Sequence, residues 1–365
     1  MIDTLAETPV SSSPGGRFKT LAIAALRPVL VVGVALLAGM GIIIYTGQNP
    51  LPAYENLLIE PFRTWESFSS VLFFAIPLVL TGLCAAIAFR ANIFNIGGEG
   101  QLQIGGLATA WLAIAWAPLP AIVLVPVLVL IGAVGGALWA GIAGWLRAYL
   151  GATELVSTIM LNYVAYDIVN YFVSPGGPLA GGGNATNFIP QRATFPLIGN
   201  TQFHWGFVVA LICVVLVFVI LYRMPLGYEV RMIGANASFA QYGGVAVPRV
   251  ILTTMLLSGA LAGIAGSVQV MGYAYQYSTS FIAAQWGFTG VTVALLARLE
   301  PVGVVVAALL YAVLEEGALL MENNTNVNHN IITVVQGLII LFVTVQLSFG
   351  WLRRRRAAAR ALGTT

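Results

Sequence analysis

Ten apolar runs separated by polar or glycine-rich stretches organise the chain: residues 26–46, 67–89, 93–115, 121–146, 155–173, 204–222, 250–272, 285–298, 301–320 and 330–350. Most approach the roughly 20 apolar residues that an α-helix needs to cross a bilayer. The segments of about ten alternating residues that build a membrane β-barrel do not occur. The pattern therefore predicts an all-α, polytopic membrane protein with about ten transmembrane helices. Two runs are ambiguous: 285–298 is short and 93–115 opens on glycines, so each fits a re-entrant loop as well as a crossing.

Charge separates those alternatives. The chain has 16 Lys and Arg residues. With the N-terminus in the cytoplasm, Arg17, Lys19, Arg27, Arg90, Arg147, Arg223, Arg231, Arg249, Arg298, Arg353, Arg354, Arg355, Arg356 and Arg360 fall inside, and only Arg63 and Arg192 fall outside. Cytoplasmic loops carry just such an excess of basic residues. Removing one crossing would put the Arg353–Arg356 cluster outside, so both ambiguous runs are expected to cross, as broken or tilted helices. Both termini are then cytoplasmic. Residues 1–25 read as a disordered tail, 26–350 as the transmembrane domain and 351–365 as a basic tail. The run 26–46 is too long for a signal-peptide core and reads as a retained first span.

Composition agrees. Of 365 residues, 59% are hydrophobic and 8% charged, with a mean hydropathy of +0.91; soluble domains are about 25% charged. The basic residues sit at the ends of apolar runs and not in one patch, which excludes a nucleic-acid surface despite the net charge of +3. Cys84 and Cys213 lie within apolar runs without CxxC spacing and read as small buried hydrophobes. His204 and His329 have no ligand-type neighbours at metal spacing, so no metal site is expected. Lys19 is the only lysine, so no GxxxxGK[ST] phosphate loop exists. GxSxG and HExxH are also missing, and an enzyme is not expected.

Polar residues within the spans carry the candidate chemistry. Phe89–Gly106 (FRANIFNIGGEGQLQIGG) sets Asn95, Glu99 and Gln101 among five glycines. A carboxylate inside a bilayer costs about 2.5–3.5 kcal/mol, so Glu99 is expected to face a polar interior, a partner or the headgroup region. Asn162, Tyr166 and Asn170 recur at i, i+4 and i+8 with Asp167 alongside, which fits either a solute pathway or interhelical hydrogen bonding. Tyr273, Tyr275, Tyr277 and Trp286 fit an interfacial aromatic belt. Gly132, Gly136, Ala140 and Gly144, and likewise Gly259, Gly263 and Ser267, form small-residue stripes suited to close packing within one bundle or between subunits. Among the outer loops, residues 174–203 are long enough for a gate or a partner contact, though a plain connector fits too.

The polar stretch Arg223–Arg249 (RMPLGYEVRMIGANASFAQYGGVAVPR) is too long for a tight connector and accommodates short helices. Asn236 is placed to cap a turn, and Gly243-Gly244 to end one.

Four motifs in order, FRANIFNIGGEGQLQIGG, TELVSTIMLNYVA, GANASFAQYGGVAVPR and GFTGVTVALLARLEPVGVVVAALLYA, resemble those of ABC importer permease subunits. The family is the branched-chain amino acid and ribose permease superfamily, in its nucleoside-permease branch, over roughly residues 65–345. The resemblance implies a type II importer fold and a multi-pass permease domain in a bacterial inner membrane. It implies partners: an ATP-binding cassette ATPase carrying ATP and Mg, a second permease subunit, identical or homologous, and an extracytoplasmic substrate-binding protein or lipoprotein. No cofactor is expected in this chain. It also implies a coupling helix that seats in the ATPase, matched here by Gly234, Asn236, Ala237, Phe239, Ala240, Tyr242 and Gly244. Asn95, Glu99, Gln101, Asn162, Tyr166, Asp167 and Asn170 are the candidates for the pathway or its gate. The implied cargo is a nucleoside-like solute. Simple sugars, branched-chain amino acids and an ion-coupled secondary transporter using Glu99 and Asp167 remain competing readings.

Overall fold

The computed structural model describes residues 37–45, 47–199 and 201–325, together with residues 33, 333, 334 and 337. Residues 1–50 with 330–365 form one unit, of which residues 37–45 are seen to be helical, and Leu51–His329 form the other. Both tails, much of the run 26–46 and nearly all of 330–350 lie outside the described residues. The rest concerns the second unit.

The described residues are almost wholly helical. In order they form α1 (Pro50–Leu58), α2 (Trp65–Arg90), α3 (Gly98–Ala115), α4 (Ala121–Leu150), α5 (Glu154–Val173), α6 (Gly206–Arg223), α7 (Pro225–Ala235), α8 (Ala237–Tyr242), α9 (Val247–Gln269), α10 (Ser280–Ala284), α11 (Trp286–Leu296) and α12 (Pro301–Asn324). Each of the eight apolar runs from 67–89 to 301–320 contains one of these helices. Among the described residues, five segments are long and apolar enough to cross a membrane: α2, α4, α6, α9 with its continuation to Ala274, and α12. α3 and α5 have 18 and 20 residues but are more polar. α11 has 11 residues, about 16 Å at 1.5 Å per residue, roughly half the hydrocarbon thickness.

Both ambiguous runs are broken. Residues 92–97 are not helical, with Asn92 in the left-handed region (φ 57°), and α3 starts only at Gly98. Gln285 (φ 48°) separates α10 from α11. The glycines and short length that made these runs doubtful thus mark interior helix ends.

Helix α2 is the central post. Thr64 starts it, its Oγ1 accepting the Ser67 N–H at 3.1 Å, with Glu66 in the first turn and Arg90 in the last. Those charges suit the two ends of the helix dipole. Residues 75–88 are all buried.

The two small-residue stripes meet each other inside the chain. A Cβ on Gly263 of α9 would stand 2.0 Å from the Gly132 carbonyl oxygen of α4, and one on Gly136 would stand 2.2 Å from the Gly259 oxygen. Helix α3 joins them at Gly105, where a Cβ would lie 2.5 Å from the Gly263 Cα. No side chain fits between these backbones, which is why glycine occupies all three helices there. The opposite face of α4 (Leu130, Val134, Leu138, Ile142) is exposed and apolar, as a lipid-facing surface is.

Because the seam admits no added volume, Gly263→Val should destabilise the fold by at least the 1–3 kcal/mol typical of overpacking. Thermal unfolding in detergent should show a lowered midpoint, with Val134→Ala on the exposed face nearly neutral. Equal midpoints for Gly263→Val and the unaltered chain would contradict the seam.

Candidate functional site

Residues 92–103 fold into a polar node in the interior. Asn95 and Gln101 pair amide to amide, with Asn95 Nδ2 donating to Gln101 Oε1 at 3.1 Å and Gln101 Nε2 to Asn95 Oδ1 at 2.9 Å. Asn95 Nδ2 also donates to Ser258 Oγ of α9 at 2.8 Å, and Ser258 donates onward to the Cys84 carbonyl of α2 at 2.7 Å. The loop before α3 is thereby tied to α2 and α9. From the other side, Glu154 accepts the Phe94 N–H at 3.4 Å while paired with Arg147 at 3.1 Å.

Two helices begin inside this node without a side-chain cap of their own: α3 after Gly97 and α11 after Gln285. The first N–H groups of a helix need partners, and the interior supplies no bulk water. Neighbouring helices provide them. Asn162 of α5 accepts the Gly100 N–H of α3 at 2.8 Å and donates to the Ile96 carbonyl at 3.1 Å. Glu99 of α3 accepts the Gly287 N–H of α11 at 2.7 Å through Oε2 and the Gln103 side chain at 2.6 Å through Oε1. Tyr277 donates its hydroxyl to Gln103 Oε1. A Cβ on Gly287 would lie 2.3 Å from the Glu99 nitrogen, so glycine is what allows the two helix starts to meet.

Helix α11 then runs beside α2. Thr81 Oγ1 donates to the Trp286 carbonyl at 3.0 Å, and nine residues on Arg90 Nε donates to the Leu299 carbonyl at 3.0 Å. Thr81 lies about 13 Å from the Arg90 end of α2, well inside that span.

The pathway candidates thus divide. Asn95, Glu99, Gln101 and Asn162 are at most 1% exposed, and each bonds to protein groups. Interfacial exposure, one expectation for Glu99, does not apply. Tyr166 is half-buried, while Asp167 and Asn170 lie exposed on the outward face of α5 with Tyr163 and Tyr171. The i, i+4, i+8 stripe therefore begins as an interior brace and ends as surface. A carboxylate on an exposed span face calls for water or a partner, not hydrocarbon. The aromatic belt holds only in part: Tyr273 is 47% exposed, but Tyr277 is fully buried.

Beyond the node, Thr186 binds both the carbonyl and the N–H of Tyr277, at 2.9 Å and 3.0 Å, and the Ile189 N–H donates to the Tyr275 carbonyl at 2.7 Å. Ser258, Tyr277 and Gly287 escaped sequence reasoning. Ser258 looks like one more small residue beside Gly259, Tyr277 like one of a belt, and Gly287 bonds a residue 188 positions away.

The polar stretch 223–249 forms two helices. Gly227, Arg231 and Gly234 share one face of α7. A Cβ on Gly227 would lie 2.2 Å from the Ile220 oxygen, and one on Gly234 would lie 1.9 Å from the Arg90 oxygen. Helix α7 is thus pressed against the ends of α6 and α2, and Gly234 belongs to it. In α8 the Asn236 side chain accepts the Phe239 N–H at 3.0 Å. Gly244, in the left-handed region (φ 84°), ends it. Phe239 and Tyr242 are 67% and 92% exposed, and Ala237 is exposed, but Ala240 is fully buried. Ala240 therefore packs inward and adds nothing to an exposed apolar surface.

The groove along α6, lined by Val208, Leu211, Ile212 and Val215, is aliphatic and has no converging polar groups. Among the described residues, no three His, Cys, Asp or Glu side chains gather as metal ligands do.

A family profile described as branched-chain amino acid transport system / permease component matches residues 67–344. Over 331 residues the chain is 32% identical to the nucleoside ABC transporter permease protein NupB of Lactococcus lactis, covering 88% of this chain and 91% of that one. It is 33% identical to the guanosine ABC transporter permease protein NupP of Bacillus subtilis, covering 91% and 97%. It is 34% identical to the glucose ABC transporter permease protein TsgB13 of Haloferax volcanii, covering 87% and 86%. No solved structure matches.

Glu99→Leu should leave the Gly287 N–H and the Gln103 amide without their acceptor, at about 1–3 kcal/mol for each buried donor. Glu99→Gln keeps one carbonyl acceptor and should lose about half as much. Thermal midpoints of both variants in detergent test this. A Leu variant as stable as the unaltered chain would remove Glu99 from the capping role.

Proposed function

This chain belongs to the branched-chain amino acid transport system permease family, and from that membership we propose that it imports a nucleoside-like solute with energy supplied by a separate ATPase. It is a membrane-embedded transport subunit, and its family works in general with an ATPase and a solute-binding protein. ATP and Mg belong to the ATPase, since this chain has no phosphate loop. Two of the relatives named above are described as nucleoside or guanosine permeases, which favours that cargo. The relative described as a glucose permease keeps a sugar as the second reading.

In this proposal the chain crosses a bacterial inner membrane ten times with both termini in the cytoplasm, as the distribution of basic residues favours. The Arg90 end of α2 and the α7–α8 segment then face the cytosol. Helix α8 is the coupling helix. The observation that carries this reading is its form: a six-residue helix with a side-chain cap at one end and a glycine stop at the other, presenting Phe239 and Tyr242 outward. It stands on α7, which is pressed against two spans, so a push on α8 travels into the membrane. Asp167 and Asn170 on the outward face of α5 then line an aqueous pathway shared with a second permease subunit. The buried node of Asn95, Glu99, Gln101 and Asn162 holds the broken helices in register and acts on the gate without touching the solute.

Phe239→Glu should put a charge on the docking surface and lower association with the ATPase at least tenfold, with a matching loss of ATP-driven uptake in vesicles. Normal association and uptake would refute the coupling role. Offered labelled uridine and labelled glucose separately, the unaltered complex should accumulate uridine and not glucose; the reverse result would select the sugar reading.

A further inference from the structure

The turn between α11 and α12 is held in an unfavourable shape. Arg298 and Leu299 both lie in the left-handed region, at φ 53° and 63°. Two adjacent non-glycine residues keep that conformation only where their surroundings fix it. The fixing groups converge on Glu300, the next residue. Its Oε1 meets Arg90 Nη2 of α2 at 2.5 Å, and its Oε2 accepts the Tyr222 hydroxyl of α6. Arg90 also holds the Leu299 carbonyl. The Tyr222 ring carries two guanidiniums, Arg90 at 5.2 Å and Arg231 of α7 at 5.6 Å from its centre. Arg231 in turn donates to the Leu221 carbonyl.

One carboxylate thus connects the start of α12, the end of α11, the ends of α2 and α6 and, through the Tyr222 ring, α7. We propose that Glu300 is a positioning residue, the joint through which displacement of the α7–α8 segment reaches α11 and, at its far end, the Glu99 node. The proposal rests on the reading of α8 as the ATPase-docking helix. The chemistry suits transmission more than stabilisation. The Glu300 side chain is 55% exposed, so water screens the ion pair and weakens its effect on folding. What the joint fixes is the position of α7 relative to a rigid helical rod about 16 Å long. The far end of that rod is held by Thr81 and Glu99, so movement at Glu300 does not dissipate within α11.

Glu300→Gln and Tyr222→Phe test this by two measurements. In the full chain in detergent, amide hydrogen exchange over residues 225–235 should quicken at least tenfold in Glu300→Gln. The α4–α9 seam should stay protected, and Glu229→Gln, a change to a half-buried carboxylate on α7 outside the joint, should have no effect. Unchanged exchange over 225–235 overturns the joint whatever the chain transports. In vesicles containing the complete complex, with labelled uridine as probe, both variants should hydrolyse ATP within twofold of normal while uptake per ATP falls at least fivefold. An unaltered uptake per ATP, or uptake and hydrolysis lost together through failed ATPase association, also overturns it. If even the unaltered complex shows no ATP-driven uptake, the functional reading fails, and the exchange measurement still decides the joint.

Discussion

Helix starts buried away from water are the constraint on which this structure depends. An N-terminus inside a membrane protein exposes N–H groups that lipid cannot satisfy, so a span broken in the interior needs acceptors from elsewhere in the chain. Asn162 provides one for α3, and Glu99, on α3 itself, provides one for α11. The caps therefore run in series from α5 through α3 to α11. Glu99 also explains how the bilayer interior tolerates a carboxylate: it lies at the positive end of a helix dipole and accepts two hydrogen bonds.

Such a series requires helices fixed to within fractions of an ångström, and glycine packing supplies that. The contact of α3, α4 and α9 at Gly105, Gly132 and Gly263 leaves backbone against backbone, where no side-chain rotamer can absorb a displacement. Gly287 and Gly234 do the same where α11 meets α3 and where α7 meets α2. The half-length helix α11 and the α7–α8 segment are thus seated on the rest of the bundle by close backbone contacts as well as by polar ones.

Much of this could be read in the chain itself because the relevant physics was local. Apolar run lengths located the spans, Asn236 and Gly244 marked the ends of α8, and the glycines at 97–100 marked a broken span. The two small-residue stripes were also visible, but only coordinates distinguished packing within the chain from a subunit seam. What local pattern did not reveal was pairing at a distance. Glu99 bonds Gly287, Tyr277 bonds Gln103 and Ser258 bonds Cys84 across separations of 174 residues or more. In sequence, a serine among glycines or a tyrosine among tyrosines carries no sign of such a partner. Ala240 shows the same limit from the other side: a six-residue helix has too few turns for its periodicity to say which alanine faces inward.

The serial caps can be observed directly as protection of two backbone amides, resolved by NMR in lipid nanodiscs. Gly100 and Gly287 should exchange with solvent as slowly as amides in the middle of α9, and replacing Glu99 with Leu should release Gly287 while Gly100 stays protected. Rapid exchange of Gly287 in the unaltered protein would contradict the account at its base.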